Sequence, residues 1–336
     1  MVARLKSPIE TGLGVSISHR EVSVNGITLH IAEAGEGPLV LLLHGWPESW
    51  YSWRHEFEPL AQAGFHVVAP DQRGFGSSEC PERIDRYSVL DMVGDAVGLI
   101  HALGADSAGQ TEGVVVVGHD WGAPVAWNTA LLRPDLVRGV AGLSVAPSAR
   151  PPAPPLGILR QHFGEGFYQI YFQQVGVPEA ELGADPELTF RKILAGRPAH
   201  TDIPPMVVGP QDEGLLDALV APEALPQWLS DADIAVMVEQ YAKSGWRGGL
   251  NLYRNIDRNW ELTAAWADAL ITVPSLYITG QRDVVRGFGD PKFLERLPAR
   301  LPGLRGIVDL PDTGHWTQQE RPAEVNAALL EFLAGL

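Results

Sequence analysis

Four valines in a row, Val114–Val117, stand between Gly113 and Gly118, and a helical stretch begins soon after. A run with no polar face must be covered on both sides, the condition of a central strand in a parallel sheet flanked by helices. The chain repeats the theme. Ile27–Ala32 reads as a strand after a turn at Asn25-Gly26, and Leu39–Leu43, Val67–Ala69 and Val140–Val145 are short apolar runs. Ser88–Leu103 and Ala123–Leu132 read as helices between them. Such alternation implies βαβ crossovers and one mostly parallel α/β sheet covered by helices.

The pattern changes at Ala149. Arg150-Pro-Pro-Ala-Pro-Pro155 cannot continue a ladder and reads as a stiff connector. From there to about Trp260 the periodicity is helical, with no convincing buried strand, and proline-rich loops interrupt it at Arg197–Pro210 and Ala221–Pro226. Alternation returns with Ser275–Thr279 and Gly306–Leu310, and a last helix spans Pro322–Leu333. The expected organisation is a core (1–148), an inserted helical cap or lid (149–264) and the rest of the core (265–336). A chain of 336 residues is long enough for one large core with an insertion.

A net charge of −16 speaks against a nucleic-acid partner and against docking on an anionic membrane. One cysteine, Cys80, leaves no disulfide within the chain and makes a cysteine-based metal site improbable. Met1–Pro8 carries no apolar leader, and no run is long enough to span a bilayer. A cytoplasmic setting is expected, with no cofactor and no metal; a homodimer is left open.

The chemistry concentrates where the valine run ends. Gly118-His119-Asp120-Trp121-Gly122 is a strand–turn–helix element with a nucleophile's spacing, G-x-Nuc-x-G. The turn is too sharp for bulky neighbours, so glycines flank it, and residue 120 is expected to project above the sheet's C-terminal edge. A lone aspartate there would usually cap the helix, but the preceding strand and following helix favour a nucleophile. A carboxylate is nucleophilic without a base and forms an ester on attacking an sp³ carbon. The ester then needs a base and an orienting acid. His315 in Gly314-His-Trp and Asp283 in Gly280-Gln-Arg-Asp follow late strands in the required order, with Asp290, Asp309 and Asp312 as competing acids. The amides of Trp46, in His44-Gly-Trp-Pro, and Trp121 are candidates for an oxyanion hole. His44 and His119 read as structural.

Taken together, His44-Gly-Trp-Pro-Glu-Ser, Asp71-Gln-Arg-Gly-Phe-Gly-Ser-Ser, the Asp120 turn, Gly280-Gln-Arg-Asp and Gly314-His-Trp-Thr-Gln resemble the epoxide hydrolase branch of the α/β-hydrolase superfamily. The resemblance spans nearly the whole chain. It implies an epoxide and water as substrates, a diol product, and two lid tyrosines that donate to the epoxide oxygen. Tyr168-Gln-Ile-Tyr171-Phe-Gln-Gln maps the first onto Tyr171, leaving Tyr168 a packing role, and Asn251-Leu-Tyr253-Arg maps the second onto Tyr253. Trp46, Trp121, Tyr171 and Tyr253 are the expected substrate contacts. Trp46 stands where relatives often carry phenylalanine. A haloalkane dehalogenase would share the triad but release halide to N–H donors. A non-catalytic ligand-binding protein would tolerate a broken triad.

Overall fold

The valine run lies at the centre of an eight-stranded sheet. The computed structural model describes residues 14–104, 113–200 and 205–336. Strands β1 (Ser18–Val24) and β2 (Ile27–Ala34) form a hairpin across Asn25-Gly26, whose φ values of 47° and 77° suit its tight turn. Then come β3 (Leu39–Leu43), α1 (Phe57–Gln62), β4 (His66–Pro70), α2 (Val89–Ala102), β5 (Val114–His119), α3 (Gly122–Leu132) and β6 (Val137–Leu143). Helices α4 (Pro155–Phe163), α5 (Tyr168–Tyr171), α6 (Val177–Ala184), α7 (Pro186–Ala195), α8 (Asp231–Ser244), α9 (Arg247–Arg254) and α10 (Ile256–Leu262) follow. The chain ends with β7 (Ser275–Gly280), α11 (Phe293–Arg300), β8 (Leu304–Leu310), α12 (Thr317–Glu320) and α13 (Pro322–Ala334).

The sheet order is β1-β2-β4-β3-β5-β6-β7-β8. β2 runs antiparallel to β1 and β4, and every later pairing is parallel. All residues of β3 and β5 are buried, as uniformly apolar central strands require. Each such valine or leucine contributes roughly 1.5–3 kcal/mol by leaving water. Register aligns the strand ends: Leu43 faces Gly118, Gly118 faces Gly142, and Gly142 faces Tyr277. The segments that leave β3, β5, β6 and β7 therefore emerge at one edge, the carboxyl edge where open α/β sheets hold ligands.

β1 is absent from the sequence expectations because only Val22 and Val24 of Ser18–Val24 are buried, so most of its side chains are polar and outward. β6 stops at Leu143, short of the expected Val145, because Ser144 turns to a φ of 66°.

The chain divides into two compact units. One holds the chain through Arg73, Asp91–Ala149 and Asp268–Leu336, including the sheet; the other combines Gly74–Leu90 with Arg150–Ala267. Gly74–Leu90, left in the core by the sequence reading, is grouped with the helices for a physical reason. Asn255 Nδ2 donates to the Ile84 carbonyl at 2.6 Å, the Val89 amide donates to Asn259 Oδ1 at 2.8 Å, and Phe75 packs edge-on against Tyr241. Within the helical unit, Arg150 lies over the Trp260 ring at 3.8 Å while Trp260 Nε1 donates to the Pro151 carbonyl at 2.9 Å. These contacts close the insertion near its two ends. A two-residue antiparallel pairing, Arg197–Pro198 with Leu219–Val220, adds a ladder that the helical reading did not contain. Among the described residues, no helix is long and apolar enough to cross a membrane.

Candidate active site

Asp120 leaves the end of β5 with a φ of 48°. A non-glycine residue seldom adopts that left-handed conformation, so its surroundings must hold it there. The Asp120 amide reaches the Leu143 carbonyl at 3.4 Å, and the Asp120 carbonyl accepts from the Ala123 amide at 3.0 Å, opening α3. The turn is close-packed: a Cβ on Gly122 would lie 2.0 Å from the Leu43 carbonyl oxygen. Gly45 is constrained by the carboxylate itself, because a Cβ there would lie 2.3 Å from Asp120 Oδ1. The amide of Trp46 donates to that oxygen at 2.7 Å. Trp121 is the N-cap of α3, and the indole of Trp46 is buried.

His315 sits between two carboxylates. Its Nδ1 lies 2.9 Å from Asp283 Oδ1, and its Nε2 lies 3.4 Å from Asp120 Oδ2. Burial opposes a charged ring, but the charge of Asp283 and the hydrogen bonds to Asp120 and Asp283 outweigh it, raising the His315 pKa well above the ordinary histidine value. Asp283 is buried, which works against its ionisation, yet His315 and the Val285 amide hold its carboxyl below the usual range. The competing acids are engaged elsewhere. Asp290 pairs with Arg296 at 2.8 Å, Asp309 with Arg286 at 2.6 Å, and Asp312 with Arg282.

A buried polar layer holds the histidine's backbone. The His315 carbonyl accepts from His119 Nε2 at 2.8 Å and from Ser144 Oγ at 2.7 Å. His119 Nδ1 lies 2.8 Å from Glu48 Oε2, while Glu48 Oε1 accepts from Gln318 at 3.1 Å and Gln319 at 3.0 Å. Burial alone would raise the Glu48 pKa, but His119 and His44 hold it down. His44 Nδ1 donates to the Gly45 carbonyl and its Nε2 accepts from the Gln72 amide, so the ring ties the β3 loop to the segment after β4. Asp71 likewise takes the Trp50 amide at 3.1 Å and lies 2.8 Å from His30 Nδ1. Glu48 and Ser144 were not picked out by sequence reasoning; Glu48 lies within the quoted His44–Ser49 motif, whereas Ser144 carries no local signal.

In the helical unit the tyrosines sort differently from the expectation. Tyr253 packs edge-on against Tyr168, with ring centroids 5.7 Å apart, and against Phe172 at 5.0 Å. Gln169 Nε2 donates to the Tyr168 hydroxyl at 2.8 Å. The Tyr171 hydroxyl instead donates to Glu181 Oε2 at 2.8 Å, and burial together with that carboxylate raises its pKa. The structure thus brings Tyr168, rather than Tyr171, beside Tyr253. Among the described residues there is no group of three or more His, Cys, Asp or Glu side chains able to hold a metal.

Known proteins share this architecture. Residues 38–179 match the family model of the alpha/beta hydrolase fold. Epoxide hydrolase A of Mycobacterium tuberculosis is 45% identical over 95% of this chain and 98% of its own. Epoxide hydrolase 1 of Siraitia grosvenorii is 40% identical over 94% of this chain and 98% of its own. The crystal structure of epoxide hydrolase A from Mycobacterium thermoresistibile superposes with a TM-score of 0.88 at 46% identity, covering 95% of this chain and 99% of that one. Epoxide hydrolase VrEH1 of Vigna radiata gives 0.89 at 37% identity, covering 98% and 100%. Likeness of this extent, in sequence and in structure, makes the chain a member of the epoxide hydrolase family of the α/β-hydrolase fold.

Proposed function

We propose that the protein converts an epoxide to a vicinal diol through an ester on Asp120. The observation that carries this reading is His315 held between Asp120 and Asp283, with the Trp46 amide on the Asp120 carboxylate. Asp120 attacks a ring carbon and the C–O bond breaks. Tyr168 and Tyr253 donate to the oxygen as it becomes an alkoxide, and one of them gives up its proton. Tyr168 takes the role expected of Tyr171, because its ring lies against Tyr253 whereas the Tyr171 hydroxyl is committed to Glu181.

Esterification removes the negative charge of Asp120, one of the two that raise the proton affinity of His315. The imidazolium then gives up its proton more readily, returning it by way of solvent to the tyrosinate left by ring opening, and the neutral ring can act as the base. It takes a proton from water, and the hydroxide attacks the ester carbonyl carbon. The amides of Trp46 and Trp121 bind the oxyanion, which collapses to expel the diol and restore the carboxylate. The names of the relatives and the paired phenols favour an oxygen leaving group over halide. Cytoplasmic residence fits the single cysteine.

His315→Gln should retain ring opening and lose ester hydrolysis. Intact-protein mass spectrometry with styrene oxide should show the mass of one added substrate accumulating on the variant and lost by His315→Gln/Asp120→Asn. A variant that turns over at the wild-type rate, or never gains the adduct, contradicts the mechanism.

A further inference from the structure

One side chain that the proposed chemistry does not use ties the two tyrosine-bearing segments of the helical unit together. Arg254 ends α9, one residue after Tyr253. Its guanidinium is buried, with the side chain 3% exposed, and meets both oxygens of Glu179: Nη1 to Oε1 at 2.6 Å and Nη2 to Oε2 at 3.0 Å. Nε donates to the Phe172 carbonyl at 3.0 Å, Nη2 to the Gln174 carbonyl at 3.0 Å, and Nη1 to Asn251 Oδ1 at 3.0 Å. All five donors of the fork are accounted for.

Phe172 and Gln174 lie just beyond α5, the helix that carries Tyr168. Gln173, between them, completes the tie: its Nε2 donates to the Gln169 carbonyl at 2.7 Å and to the Tyr253 carbonyl at 3.1 Å. α5 has four residues, too few to fix its own direction. The Arg254 fork therefore holds the backbone on either side of the ring cluster formed by Tyr168, Phe172 and Tyr253. Burying a guanidinium is costly unless it is fully paired, and here the pairing is spent on two carbonyls beside the tyrosines.

We propose that Arg254, with Gln173, is a positioning residue for ring opening: it sets the aim of the Tyr168 and Tyr253 hydroxyls without touching substrate. The proposal rests on the two-tyrosine reading above. Two donors must meet one oxygen, and an error of about 1 Å in such an alignment costs about 100-fold in rate. Hydrolysis of the Asp120 ester draws on neither hydroxyl, so the two half-reactions should respond differently. Lysine keeps the charge toward Glu179 but, with a single ammonium, cannot span a carboxylate and two carbonyls.

The test is rapid-quench mass spectrometry of the intact chain with styrene oxide, resolving alkylation from ester decay. Arg254→Lys should slow alkylation about 10- to 100-fold and Gln173→Ala about 3- to 10-fold, with ester decay within about twofold of wild type in both. Partial unfolding would reduce the fraction that reacts, not the rate constant. In a Tyr168→Phe/Tyr253→Phe background, Arg254→Lys should add little further loss. Wild-type alkylation rates in both variants, or equal slowing of both steps, overturn the proposal. Tyr168→Phe and Tyr253→Phe are measured alongside. If those two alkylate normally, the two-tyrosine reading fails and takes the positioning role with it; if they are slow while Arg254→Lys and Gln173→Ala are not, only the positioning role fails.

Discussion

In the proposed cycle the proton affinity of His315 changes between one step and the next. Between two carboxylates its pKa is raised well above the ordinary histidine value, and esterification of Asp120 would remove one of the two charges responsible. The tyrosines show a second residue-scale choice, made by a single distant partner. Tyr168 and Tyr171 stand three residues apart on one helical turn, so spacing gives no basis for choosing between them. In the proposed mechanism Glu181 decides, by accepting the Tyr171 hydroxyl. Tyr171→Phe should therefore leave the alkylation rate within about twofold of wild type but lower stability by about 1.5–3 kcal/mol, the worth of a hydrogen bond to a charged group. Tyr168→Phe should slow alkylation about 10- to 100-fold with little effect on stability. Stopped-flow alkylation and denaturant titration of both variants separate these outcomes, and a reversed pattern would return the role to Tyr171. That Asp120, Asp283 and His315 would meet was legible in the sequence because each follows a readable strand in a fixed order. Which tyrosine lies beside Tyr253 was not legible, because Tyr168 and Tyr171 share one turn and the Tyr171 hydroxyl is drawn off by a carboxylate ten residues away.

At the scale of elements, the turn from β5 into α3 and the loop after β3 act as one unit. The parallel register brings Leu43 opposite Gly118, and from there Gly45 approaches the Asp120 carboxylate so closely that no side chain fits between them. Gly45→Ala should displace the carboxylate from the Trp46 amide, reducing kcat/KM by about 100-fold. Its stability cost should be the smaller effect, about 1–3 kcal/mol for added bulk in a packed site. Activity and thermal unfolding measured on the same preparation check this; a variant with intact activity would show that the loop gives way freely. Elements with uniform apolar character, such as Leu39–Leu43 and Val114–Val117, were legible because burial on two faces leaves no other composition. β1 was not, since an edge strand draws its pattern from its partner.

Across the whole molecule, the groups assigned to the proposed reaction are divided by chemistry. The sheet unit carries the proposed nucleophile, base and acid and the Trp46 amide, all on segments leaving the carboxyl edge; the helical unit carries the proposed donor tyrosines and the Arg254 fork. The insertion was legible from the proline run and the loss of alternation at Ala149. The grouping of Gly74–Leu90 with the helices was not, because the side-chain contacts that cause it come from Tyr241, Asn255 and Asn259, far along the chain. In the proposed mechanism the oxygen added to the substrate comes first from Asp120 and only later from solvent. A single turnover in ¹⁸O-labelled water, with enzyme in excess over styrene oxide, tests it most directly. Attack by Asp120 should give an unlabelled diol and leave one heavy oxygen in the peptide that contains Asp120; a labelled diol from that first turnover, with an unlabelled peptide, would mean that water attacks the epoxide directly.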